Sequence, residues 1–224
     1  LDWRDRMFDN FFSVRSILAL IVHTFPWCNA VQANDLQVGF AELPITPPVI
    51  DQWVDVNNDA QFDPDVDTWT DINGNGFFDP VWIAGFQKGR AAQGIKDDLM
   101  AVAVVIDDGD QRIAVVAIDT IGLMRKFVLD IRQSASKKWG LNHLMIHATH
   151  NHEGPDTQGL WGPGLFESGI NDDYMRELKG SILAVVGSAI SNLEPAEMSI
   201  ARIATDPRTP IKDKRKPIVI DQDI

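Results

Sequence analysis

Cysteine is nearly absent from this chain: Cys28 is the only one. That excludes an intramolecular disulfide framework and a site built from several thiolates. Basic charge is also scarce, with 20 Lys and Arg against 32 Asp and Glu and a net charge of −12. Phosphate binding needs a basic face and no stretch supplies one, so nucleic acid is not an expected partner. A long unbroken apolar run is missing too. The best stretch, "SILALIVHTFPWCNA" (16–30), is interrupted by His23 and Pro26 and is too short for a good membrane span. Common catalytic loops are absent as well. "GLWGPG" and "FESG" do not make a G-x-S-x-G elbow, and Ser168 has no evident partner. "GRAAQG" lacks the G-K-[ST] of a phosphate loop.

The first segment has the pattern of a secretory signal. After Met7 come one basic residue (Arg15), a short apolar region and small residues at Ala30 and Ala33. Residues 1–33 are therefore expected to be a signal peptide, with Met7 a candidate start and the product secreted or periplasmic. Cys28 would leave with it. The closing "KPIVIDQDI" reads as a strand just begun, so the sequence is expected to be a fragment.

The rest, 34–224, reads as one domain. "LQVGFAELPITPP" (36–48) is an expected strand, and 51–80, rich in Asp, Asn, Gly and Pro, an expected loop. "MAVAVVIDDGDQRIAVVAIDTIG" holds two apolar runs around a turn, a hairpin over 100–106 and 112–119. Both runs are almost wholly apolar, which predicts a sheet covered on both faces. Leu123, Phe127, Val128 and Ile131 have helical spacing, and Gly140 suits a C-cap. "HLMIHAT" follows as a buried strand. Asn171 can cap a second helix whose stripe is Leu178, Ile182, Val185, Val186 and Ile190, with Pro195 beyond its end. "EMSIARIAT" and "KPIVID" read as strands. The expected class is α/β: mixed β-sheet layers flanked by helices, with an irregular calcium-binding loop insertion at 51–80.

That insertion contains a repeat. "DVNNDAQFDP" and "DINGNGFFDP" align without gaps, sixteen residues apart. Oxygen-bearing side chains stand at positions 1, 3, 5 and 9: Asp55, Asn57, Asp59 and Asp63, then Asp71, Asn73, Asn75 and Asp79. Alternate spacing can turn such oxygens towards one centre, as hard Ca²⁺ requires. Asp65 and Asp67 lie between the loops as candidate shared donors. No Glu stands at position 12, where Val66 and Trp82 occur, so the match to an EF-hand is partial. The pattern resembles the D-x-[DN]-x-[DN] loops of dockerins and thrombospondin-type repeats. A polar turn loop without metal is the alternative. Phe62, Phe78 and Trp82 are expected to anchor the insertion to the domain.

Four of the five histidines fall in "HLMIHATHNHEGPD" (143–156). Read as a strand continued to residue 152, alternation puts His150 and His152 on one face and His147 on the other. Two imidazoles where a central strand runs into a Gly-Pro loop suit zinc, which needs further ligands to complete its shell. The carboxyl edge of a sheet is also where α/β active sites tend to lie. His143 and His147 read as structural.

These segments also carry a resemblance. "VGFAELPITPP", "GIKDDLMAVAVVIDDGDQRIAVVAIDTIGL", "LMIHATHNHEGPD" and "KPIVIDQDI" occur in the order found in the neutral/alkaline non-lysosomal ceramidase family, in the N-terminal part of its catalytic domain. The sharpest motif, A-T-H-x-H-x-G-P, stands here as residues 148–155. The resemblance implies His150 as a ligand of a catalytic zinc and His152 as its neighbour, a zinc or substrate-side group. It implies that the other ligands, a His, a Glu and a Tyr, come later than residue 224. Ceramidases usually read H-T-H-S-G-P, whereas Asn151 and Glu153 stand here. The insertion at 51–80 is another departure. The expected function is a secreted zinc-dependent amidohydrolase that cleaves the N-acyl bond of ceramide or a related lipid amide, at a membrane surface. Glu153 is a candidate to orient a ligand or shuttle a proton. The alternatives are a calcium-stabilised extracellular binding module without catalysis, or a zinc hydrolase of the same fold acting on another ester or amide.

Overall fold

The computed structural model describes residues 36–201. The expected signal segment and "KPIVID" lie outside them. In chain order the elements are β1 (Gln37–Pro44), β2 (Gln52–Val54), β3 (Thr68–Thr70), β4 (Met100–Asp107), β5 (Arg112–Ile118), α1 (Arg125–Trp139), β6 (His143–Ala148), α2 (Asp172–Ser191) and β7 (Glu194–Pro195). One mixed sheet has five strands in the order β6-β5-β4-β1-β7. Its parallel pair is β5 and β6, with Val116 opposite Ile146 and Ile118 opposite Ala148. A parallel pair needs a crossover, and α1 supplies it.

The expected hairpin forms as β4 and β5, with Ala103 paired to Val116. Its turn is organised by Asp107, which accepts the Gly109 N–H at 2.9 Å and pairs with Arg112 at 2.6 Å. The Gly109 N–H, with the Arg112 guanidinium behind it, holds the Asp107 carboxyl below its usual range against the opposing pull of burial.

Both helices close as the sequence suggests. Gly140 takes φ 62 after α1 and donates to the Ser136 carbonyl. Asn171 caps α2 by accepting the N–H groups of Asp173 and Tyr174, and Asp172 and Asp173 face the positive end of the helix dipole.

The core lies between the helices and one face of the sheet. Ala101, Ala103 and Val105 of β4 and Ala114, Val116 and Ile118 of β5 are buried against Ile131 and Ala135 of α1 and Leu178, Ile182, Val185 and Val186 of α2. The inner row is small because α2 comes close. At Gly39 an added Cβ would collide with the Ala189 carbonyl of α2.

Three expectations need correction. The sheet is covered by helices on one face only among the described residues. On the other face Phe40 and Met145 remain 52% and 50% exposed, and Val104 and Val115 are half-buried. The segment 51–80 is not wholly loop, because Trp53 and Trp69 face each other in a two-stranded ladder. Finally, no strand forms at 197–201. The edge strand is instead Glu194–Pro195 beside Val38 and Gln37, and Pro195 has no N–H with which to extend it.

Gly39→Ala is expected to push α2 off β1 at a cost of about 1–3 kcal/mol, read as a lowered unfolding midpoint. Gly94→Ala, where a Cβ meets nothing within 4 Å, is expected to change little.

Candidate functional site

The histidine pair sits where the two parallel strands end. β6 stops at Ala148, but the chain stays tied to β5: Thr149 N–H donates to the Ile118 carbonyl at 2.9 Å and Asn151 N–H to the Thr120 carbonyl at 3.2 Å. Between these bonds His150 takes φ +63. A left-handed backbone is uncommon for a residue with a Cβ and costs of order 1–3 kcal/mol unless its surroundings impose it. The extended alternation assumed from sequence therefore fails after Ala148. The two rings meet all the same, with centroids 4.8 Å apart and planes at 71°.

His150 Nδ1 lies 2.9 Å from the Ile121 carbonyl oxygen. A carbonyl can only accept, so Nδ1 carries a proton, and in the neutral ring the lone pair is then on Nε2. This is the tautomer that presents Nε2 to a cation. His150 is exposed and His152 half-buried. His143 and His147 stay on β6, and both are exposed.

A segment that the sequence reading passed over covers His152. Gly85 takes φ +121, and a Cβ there would meet the His152 ring at 2.6 Å. The Phe86 ring stands 5.1 Å from that of His152, edge to face. Arg90 donates to the His152 carbonyl at 3.2 Å and to Glu153 Oε2 at 2.8 Å. Glu153, expected to orient a ligand or move a proton, is thus held in an ion pair. Asn151 Oδ1 accepts the Glu153 N–H at 2.7 Å. The signal for this segment is Gly85 itself, which no turn motif explained.

The Gly- and Pro-rich loop that follows is built on Asp156. This buried carboxylate accepts N–H groups from Gln158 and Gly159 on one oxygen and from Trp161 and Gly169 on the other, at 2.8–3.2 Å. Thr157 Oγ1 donates to the Gly122 carbonyl and ties the loop to the chain beyond β5.

The acidic repeats fold alike. Residues 4 and 6 of each loop have positive φ: Asn58 and Ala60, then Gly74 and Gly76. Asp55 accepts Asp59 and Ala60 N–H, and Asp71 accepts Asn75 and Gly76 N–H. Asn57 and Asn73 likewise each accept the N–H two residues on, as do Asp59 and Asn75. Asp63 accepts from Asp65, while Asp79 accepts from the Asn73 and Asn75 amides at 2.7 Å. Asp67 is no loose donor between the loops. It is buried and closes the first loop by accepting Val56 and Asp63 N–H. Asp51 does the same for the second, accepting Ile72 and Asp79 N–H. The repeat is therefore longer than the loops, D-x-W-x-D-x-N from Asp51 and again from Asp67. Phe62 and Phe78 pack together at 4.2 Å, against Trp53 and Trp69 respectively. Among the described residues no three His, Cys, Asp or Glu side chains converge as a metal cluster.

A solved structure of neutral ceramidase from Pseudomonas aeruginosa matches this architecture with a TM-score of 0.51 at 16% identity, over 76% of this chain and 25% of that one. The fold is ceramidase-like. A structure of a ceramidase complexed with C2 gives a TM-score of 0.49 at 18% identity, over 76% of this chain and 24% of that one. The chain spans about a quarter of the length of these structures. No family model and no curated protein matches it.

Asp156→Ala would strand four backbone N–H groups. It is expected to destabilise the protein by about 3 kcal/mol or more, since each unpaired buried donor costs roughly 1–3 kcal/mol. Limited proteolysis should then cut within 157–169 well before the remainder unfolds.

Proposed function

We propose that this chain is the N-terminal part of the catalytic domain of a secreted, zinc-dependent amidohydrolase of ceramidase type. The observation that carries the reading is the His150 ring. Its Nδ1–H is given to the Ile121 carbonyl, which leaves Nε2 for a cation, and a second imidazole stands beside it. The ceramidase-like fold and the position at the ends of two parallel strands support the same reading. The residues fit zinc as one ligand and one neighbour. Tetrahedral zinc takes more donors than these, and the family resemblance puts a His, a Glu and a Tyr later in the chain.

Zinc, if bound here, would supply a water of lowered pKa and a Lewis acid for an acyl carbonyl. His150 would hold the metal. His152, walled in by Gly85 and Phe86, would line the substrate side and orient the amide. Glu153, paired to Arg90, would position the loop rather than carry a proton. The products of the proposed reaction are a fatty acid and a sphingoid base.

The two acidic loops would each hold a structural Ca²⁺. Support comes from their matching backbone, with positive φ at the sixth position, where calcium loops demand a sharp turn. It also comes from the crowding of carboxylates, which repel one another without a cation.

The test is hydrolysis of a fluorescent N-acyl sphingosine by the full-length protein. His150→Ala should lower the rate by more than the roughly 10–100-fold typical of a group that only supports a ligand. Equal rates in wild type and variant would remove His150 from the mechanism. Cleavage of other esters or amides, with ceramide untouched, would favour a different hydrolase. Absence of all cleavage would favour the binding module.

A further inference from the structure

We infer that Arg90 is a positioning residue for His152, acting through Phe86 and the His152 carbonyl; this rests on the reading of the histidine pair as the reactive site. The Arg90 side chain is only 13% exposed, whereas its carboxylate partner Glu153 is 64% exposed. An ion pair with so exposed a partner contributes little by itself. The burial of Arg90 is better explained by its other contacts. One guanidinium nitrogen donates to the His152 carbonyl and another to Glu153, so the fork spans two consecutive residues of the motif. The guanidinium carbon lies 5.2 Å from the centre of the Phe86 ring, the distance of a cation–π contact. Phe86 in turn meets His152 edge to face.

Phe86 is 63% exposed. Its ring meets Arg90 on one side and His152 on the other, so loss of Arg90 removes one of the groups that hold it. The His152 imidazole then keeps Gly85 beneath it and His150 beside it but loses its third wall. The anchor of Arg90 lies in the insertion. Gly89 accepts the Phe62 N–H at 2.8 Å, and Ala91 accepts the Trp53 indole N–H at 3.1 Å. The acidic insertion thereby sets the height of the segment that carries Phe86 and Arg90. Lysine replaces arginine only in part here, because an ammonium has no rigid fork to reach both acceptors.

Two readouts on the full-length protein test this. The first is the carbon-13 spectrum of histidine-labelled protein, which needs no turnover. The His152 ring signal, shifted in wild type by the Phe86 ring, should move towards the free-histidine position in Arg90→Ala. Phe86→Leu, which removes the ring, sets the size of the full shift, and Arg90→Lys serves if Arg90→Ala does not fold. The second is kinetics on the N-acyl substrate. Arg90→Ala should lower kcat by about tenfold to a hundredfold with little change in KM, with metal content and melting temperature kept, and Arg90→Lys should recover only part of it. An unmoved His152 signal in folded Arg90→Ala, or in Arg90→Lys where Arg90→Ala does not fold, overturns the inference whatever the activity. A moved signal in a protein that cleaves no amide upholds the positioning and sinks the hydrolase reading instead. A moved signal with unchanged kcat overturns the claim that the positioning serves catalysis.

Discussion

Everything proposed for this site depends on one backbone hydrogen-bond acceptor, the Ile121 carbonyl, and on the turn that brings His150 to it. The left-handed backbone at His150 is held from both sides, by Thr149 on Ile118 and by Asn151 on Thr120. Those ladder bonds exist because β5 and β6 run parallel and end together. With the backbone fixed, the imidazole can donate Nδ1–H inward and leave Nε2 outward. A relaxed, extended residue 150 would send the ring elsewhere. The strain at this position is the kind that surrounding structure imposes at functional sites.

Around that point the chain builds a second layer of support. Asp156 gathers the Gly- and Pro-rich loop beneath the motif. Asp156 N–H donates to the Trp82 carbonyl and Ala84 N–H to the Gly154 carbonyl, so 82–84 is knitted to 154–156. From there the chain runs through Gly85, Phe86 and Arg90, back over His152. The acidic insertion sits behind it as two interlocked loops, each closed by the aspartate that opens the other half of the repeat. The insertion and the histidines are thus joined by a short path of hydrogen bonds and ring contacts.

Much of this was legible in the sequence. Two almost wholly apolar runs around "DDGD" gave the hairpin, and helical spacing with Asn171 and Gly140 gave both helices and their caps. The adjacency of His150 and His152 was foreseen, although from an extended strand that does not exist; the left-handed turn restores what alternation loses. Other features were hidden for physical reasons. Apolar residues on both faces of β4 and β5 cannot say what covers the second face. The edge strand at Glu194–Pro195 is too short to leave a periodic signal. Asp51 and Asp67 look like any acidic residue until the ladder of Trp53 and Trp69 carries each to the opposite loop. Arg90 and Phe86 carry no motif, and only tertiary packing brings them to His152.

The central claim is that His150 is a zinc ligand beside a separate pair of calcium loops. Elemental analysis of the full-length protein, wild type beside His150→Ala, tests it most directly. The account predicts zinc near one per chain in wild type, lost in the variant, with calcium retained in both. Calcium without zinc in the wild-type protein, or zinc unaffected by the substitution, would contradict it.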